Sequence, residues 1–256
     1  MESLTGLAPD VLAMGLGIGF LAGLLKGCIG FGLPTVMIAG LSLIMGPEVA
    51  LAALALPALV SNGWQALRGG TAAAWASLRR FRVFLLSGFA LMVISAQFVP
   101  YLPPRLMILL IGVPIFLFAL FALMGRHLPI PQNPSQRVQG GVGAISGLIG
   151  GVTGMWGPPT VALLTAMQTD KGDQLRIQGV IYGLGAVTLV GSHLVSGVLN
   201  AQTVPLSLAM ILPALAGMRA GFLIHDWLDQ RQFQRLTHVA LLIAGSLLMG
   251  RGLGII

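Results

Sequence analysis

The chain has 256 residues, of which 56% are hydrophobic and only 8% charged, and its mean hydropathy is +0.92. A soluble domain carries roughly a quarter charged residues, so this composition excludes one and indicates an all-α polytopic membrane protein. The net charge of +7 comes from basic residues scattered over short loops, which speaks for membrane topology and against a nucleic-acid partner.

In chain order, the opening MESLTGLAPD has acidic residues and no basic n-region, and no clear cleavage site follows the first apolar run, so a retained N-terminus is expected. Apolar runs then predict helices over Val11 to Leu25, Leu33 to Met45, Val49 to Leu67, Val83 to Val99, Leu106 to Met124, Val138 to Ile149, Thr160 to Met167, Leu175 to Leu199, Val204 to Ile224 and Leu236 to Met249. Six are long enough to span a bilayer, and four are short, in two pairs that Gly and Pro interrupt. The single cysteine, Cys28, excludes an intrachain disulfide and a multi-cysteine metal site, and no cofactor is expected.

A shift of 124 residues lays Gly19, Gly23, Leu24, Gly27 and Gly30 on Gly143, Gly147, Leu148, Gly151 and Gly154; one residue further on, Gly32, Pro34, Thr35 and Val36 fall on Gly157, Pro159, Thr160 and Val161. So many ordered coincidences indicate an internal repeat. The expected division is a first membrane repeat over 1–125, a cytoplasmic linker over 126–137 and a second membrane repeat over 138–256.

Lys and Arg collect in cytoplasmic loops. The loop Arg68 to Arg82 holds four arginines and belongs inside, which places the Pro100 to Arg105 turn outside and the Arg126 to Arg137 linker inside. If the Val138 to Met167 pair enters and returns on one side, Lys171, Arg176, Arg231 and Arg235 also lie inside and the Asn200 to Thr203 turn lies outside. Each half is then a broken or re-entrant helix hairpin followed by three transmembrane helices, the two repeats are inverted, and both termini are periplasmic.

The interruptions read GCIGFGLPT (Gly27 to Thr35) and GVTGMWGPPT (Gly151 to Thr160). Proline is favoured in a helix's first turn, so Pro34 and Pro159 mark helix N-termini. Backbone broken at membrane depth must be buried in protein or line a cavity, and a helix N-terminus with its free N–H groups suits an anion. The expected substrate-binding residues are Gly30, Phe31, Gly32 and Thr35 from one half and Gly154, Trp156, Gly157 and Thr160 from the other. Close helix packing is the alternative role of such glycines, though it leaves the prolines unexplained.

Polar residues inside the spans extend this set to Ser61, Asn62 and Gln65, and to Gln178, Tyr182 and His193, with Ser192 on the same broad face. Interhelical hydrogen bonding is the plainer role for each. Lys26 and Arg219 lie at unusual depth; attracting an anion into a vestibule is one role open to either, and snorkelling to an interface is the favoured expectation for both. All seven acids, Glu2, Asp10, Glu48, Asp170, Asp173, Asp226 and Asp229, are terminal, in loops or beside helix ends, which suits an anionic cargo and leaves His193 as the mid-span group able to titrate near neutral pH.

The duplicated Gly-rich-then-Pro motif, about eight hydrophobic segments and the Arg-flanked short loops together resemble the sulfite exporter TauE/SafE family, also called the 4-toluene sulfonate uptake permease family. The resemblance covers essentially the whole chain. It implies a bacterial inner-membrane transporter, not an enzyme, that moves sulfite, organosulfonates such as sulfoacetate or related small sulfur-containing anions. Its partners are then a small anionic substrate and the lipid bilayer, and a homodimer is compatible with it. The first copy, reading GFGLP, departs from the family's more Gly-rich pattern, and the second has Met155 and Trp156 within the motif. The competing readings are an anion channel, for which no charged rings are present, and an intramembrane hydrolase built on Ser146 and His193, for which no nucleophile motif is present.

Overall fold

The computed structural model describes residues 8–67, 70–126, 130–169, 171–224 and 230–255. Glu2, Arg68, Asp170, Asp226 and Asp229, used above to place loops and acids, lie outside the described residues, as does part of the linker. The described chain is helical, with no strand. Its helices are α1 (Pro9–Ile29), α2 (Leu33–Met45), α3 (Pro47–Leu67), α4 (Thr71–Arg80), α5 (Arg82–Ala96) and α6 (Pro104–Leu123), then α7 (Gln136–Thr153), α8 (Gly157–Ala166), α9 (Lys171–Ser196), α10 (Val204–Ala209), α11 (Ile211–Ile224) and α12 (Gln230–Leu253). Six stretches are long and apolar enough to cross a membrane: Pro9–Cys28, Pro47–Leu67, Arg82–Tyr101, Pro104–Leu123, Arg176–Ser196 and Val204–Ile224. Five of them match the long apolar runs of the sequence. The sixth, Pro9–Cys28, belongs to the first broken pair, which was read as short, while the run Leu236 to Met249, read as long enough to span, yields only the shorter apolar stretch Leu241–Leu253.

Local chemistry sets the helix starts. Proline occupies the first turn of α1, α2, α6, α8 and α10, where its missing N–H costs nothing. At α7 the Ser135 side chain accepts from Val138 N at 3.4 Å, a side-chain cap. The run Val204 to Ile224 breaks into α10 and α11 at Met210, just before Pro213, which has no N–H to continue the ladder.

The two halves share one element order: a broken hairpin, a long helix, a short helix with a longer one, and a closing helix. Their broadest contacts run between halves. The first helix, α1, packs along α11, and α7 packs along α5 in the same manner; α3 packs on α9, and α6 on α12. The α3 span is the most buried, at 61% of its apolar window against 28% for α6, so α3 and α9 form the centre and α6 the periphery.

Glycine makes the first two contacts possible. A Cβ built on Gly23 would lie 1.9 Å from the Ala214 carbonyl oxygen, and one on Gly147 would lie 1.9 Å from the Gly88 carbonyl oxygen. These two glycines are counterparts under the 124-residue shift. Much of the repeated glycine pattern therefore serves backbone-to-backbone helix packing, as small residues do in membranes.

Candidate functional site

Both interruptions fold as left-handed caps. The α1 helix closes at Gly30, with φ 82° and its N–H donating to the Lys26 carbonyl at 2.7 Å. Gly32, with φ 95°, then opens α2, whose first intrahelical bond is Val36 N to the Gly32 carbonyl at 3.0 Å. The α7 helix closes the same way at Gly154, φ 69°, with its N–H 2.8 Å from the Gly150 carbonyl. Beyond that point the copies differ, because Trp156 at φ −104° stands before α8 where the first copy has a second left-handed glycine before α2. Two consecutive prolines, Pro158 and Pro159, also strip two N–H donors from the first turn of α8.

Each break is gripped by the central helix of its own half. From α3, Gln65 Nε2 donates to the Gly30 carbonyl at 3.1 Å, while Ser61 Oγ and Asn62 Oδ1 accept from Lys26 Nζ, the former at 3.1 Å. From α9, the Tyr182 hydroxyl donates to the Gly157 carbonyl at 3.3 Å, and its ring meets Trp156 edge-on with centroids 6.5 Å apart. The Trp156 carbonyl further accepts from Ser146 Oγ at 2.7 Å and from Thr160 Oγ1 at 2.9 Å.

A pocket opens between the two breaks. The first half contributes Phe31, Gly32, Pro34 and Thr35 from the first break and the start of α2, with Lys26 from α1 and Asn62 from α3. The second half contributes Trp156, Gly157 and Tyr182. Counting its open mouth, the space among the lining atoms is about 320 Å³.

Of the residues that sequence reasoning selected, Phe31, Gly32, Thr35, Asn62, Trp156, Gly157 and Tyr182 are brought together here. Gly30, Ser61, Gln65, Gly154 and Thr160 stand behind the lining; they shape the caps or hold the lining residues. Gln178 is buried one turn before Tyr182 on α9 and does not line the pocket. His193 is fully buried with Nδ1 3.3 Å from Ser196 Oγ, but it follows Tyr182 by eleven residues, about 16 Å along the helix axis at ~1.5 Å per residue. Neither Ser146 nor His193 hydrogen-bonds the other, each being engaged elsewhere.

Lys26 is the residue that sequence reasoning undervalued. Snorkelling was the expectation, yet its side chain is 1% exposed and its ammonium turns inward to Ser61 and Asn62. The available signal was its place in the last turn of α1, where the negative end of the helix dipole favours a cation. Arg219 by contrast is exposed, as expected for a snorkelling side chain.

The electrostatic character of the pocket follows from its lining. It holds one ammonium and the N-terminal ends of α2 and α8, and no carboxylate. Among the described residues no group of three or more His, Cys, Asp or Glu could hold a metal ion. A buried cation whose only bonded partners are neutral is costly, and an anion in the pocket would relieve that cost.

No curated protein and no solved structure matches the chain. Residues 15–248, which include both breaks and every lining residue of the pocket, match the family model described as Sulfite exporter TauE/SafE, and the chain belongs to that family.

Proposed function

We propose that this membrane protein is a secondary transporter of a small sulfur-containing anion, sulfite or an organosulfonate such as sulfoacetate, and that the pocket between the two broken hairpins is its binding site. The family supports transport of sulfur anions across the membrane. The observation that carries the site is the fully buried Lys26, which lines a pocket containing two helix starts and no carboxylate.

The reading includes the orientation drawn from the arginines. The two repeats are inverted, the 126–137 linker faces the cytoplasm and both termini face the periplasm of a bacterial inner membrane. Reciprocal packing of α1 on α11 and α7 on α5 is what a twofold relation between the halves produces, and an odd number of single crossings per half makes that twofold lie in the membrane plane. Alternating access to a fixed site then moves the anion. A channel is the weaker reading, because the lining is a mix of aromatic, glycine and amide groups around one cation, with no ring of repeated charge.

The test is counterflow of labelled sulfite and of a sulfonate in proteoliposomes. Saturable exchange is expected in the wild type, and Lys26→Gln is expected to reduce it at least about tenfold, since one buried countercharge is removed. Equal transport in Lys26→Gln would remove the pocket from the pathway, and unsaturable flux would favour the channel.

A further inference from the structure

We infer that the pocket selects singly charged oxyanions whose binding end only accepts hydrogen bonds, and discriminates against both dianions and zwitterions. This rests on the transporter reading and narrows its substrate class to hydrogensulfite and singly charged sulfonates, which removes sulfoacetate, a dianion at neutral pH, from the candidates.

Charge is the first part of the argument. Lys26 is the one charged side chain in the lining, and it is 1% exposed. One ammonium compensates one negative charge. The second charge of a dianion would remain buried without a counterion, which a low-dielectric site penalises heavily.

The second part concerns hydrogen-bond polarity. Lys26 Nζ spends two of its three N–H groups on Ser61 Oγ and Asn62 Oδ1, leaving one for the pocket it lines. Because the Asn62 oxygen faces the ammonium, the same contact fixes which way the amide points, and its Nδ2 is left without a partner at a residue only 1% exposed. Trp156 is alike: it is 2% exposed and its Nε1 has no partner. Buried polar groups are normally satisfied, so two unpartnered donors in one pocket lining point to an acceptor ligand.

Acceptors are withdrawn in the opposite way. Three carbonyls of the two breaks are already taken, Gly30 by Gln65, Trp156 by Ser146 and Thr160, and Gly157 by Tyr182. An ammonium on the ligand would find neither a carboxylate nor one of these carbonyls free. A sulfonate group, with three acceptor oxygens and one charge, meets both conditions.

Three probes of similar size separate the terms: methanesulfonate has one charge, sulfate has two, and taurine adds an ammonium to a sulfonate. Titration calorimetry on the purified full chain in detergent is expected to give methanesulfonate a Kd at least about tenfold below that of either of the others, one uncompensated charge or unpaired ammonium being the difference. Asn62→Asp, which places a carboxylate beside Lys26, is expected to weaken methanesulfonate at least about tenfold by neutralising the countercharge. Trp156→Phe, which removes only the indole donor and keeps an aromatic ring, is expected to weaken it several-fold. The wild-type comparison decides the matter even if a variant fails to fold. Sulfate or taurine binding as tightly as methanesulfonate would overturn the selectivity and leave the transporter reading standing. Binding of none of the three, nor of sulfite, would overturn both.

Discussion

The Trp156 carbonyl accepts from two hydroxyls, Ser146 Oγ and Thr160 Oγ1, and so ties α7 to the first turn of α8 across the second break. Either donor alone still satisfies the group. Ser146→Ala and Thr160→Val are therefore each expected to cost about 0.5–1.5 kcal/mol, the usual net worth of one such bond, while the double variant costs more than their sum because the buried carbonyl then loses both side-chain donors. Thermal unfolding in detergent measures this, and strict additivity would show that the hydroxyls do not share the carbonyl. At this scale, part of the site was legible in the sequence. Asn62, Thr35 and Tyr182 are polar groups inside apolar runs, a local signal, and they line the pocket. Lys26 was legible as a cation able to attract an anion but not as an inward-facing one, because the partners that draw it inward lie 35 and 36 residues further on and no local rule couples them. His193 carried the same local signal as Asn62 and lies away from the pocket, since helical periodicity gives a face but not a depth.

Among the elements, the breaks were legible because glycine and proline act through their own backbone: Gly30, Gly32 and Gly154 adopt left-handed φ, and Pro34 starts a helix. The short helix α4 was not legible. It falls in the stretch read as the basic loop Arg68 to Arg82, its apolar run Ala72 to Ala76 is short, and it shows its character only in three dimensions, where the Arg79 guanidinium lies 5.4 Å over the Trp75 ring. The repeated glycines were legible as a pattern, though their partners were not, since Gly147 meets α5 and Gly23 meets α11 at sequence separations that no window captures. Their consequence is testable. Gly147→Ala would set a methyl 1.9 Å from the Gly88 carbonyl oxygen, so the backbone of α5 or α7 must move, whereas a Cβ on Gly17 meets nothing within 4 Å. Gly147→Ala is expected to destabilise by at least ~1–3 kcal/mol, the common range for overpacking, and Gly17→Ala to be neutral or slightly stabilising through helix propensity. Equal unfolding temperatures for the two variants would mean that α5 and α7 do not approach as closely as the structure has them.

On the scale of the whole molecule, the repeats that the sequence suggests are not the units that packing defines. The closest backbone contacts join α1 to α11 and α7 to α5, that is, the start of each half to the end region of the other. Rocking one sequence half against the other would shear both glycine-lined seams, where backbone meets backbone and few side chains are available to slide or repack. Packing favours a different division: α1 moves with α11 and α5 with α7, and the relative motion falls between these two bodies, around the central α3 and α9 and across the pocket that separates the breaks. Spin labels on exposed positions separate the two modes. Met14 and Leu212 report within the α1–α11 body, Leu86 and Ile145 within the α5–α7 body, and Met14 with Ile145 between them. Saturating a cysteine-free background with a transported anion is expected to leave the first two distance distributions unchanged and to shift or narrow the third. Changes in the Met14–Leu212 and Leu86–Ile145 distributions as well would instead mean that the sequence halves are the moving bodies and that the glycine seams open during transport.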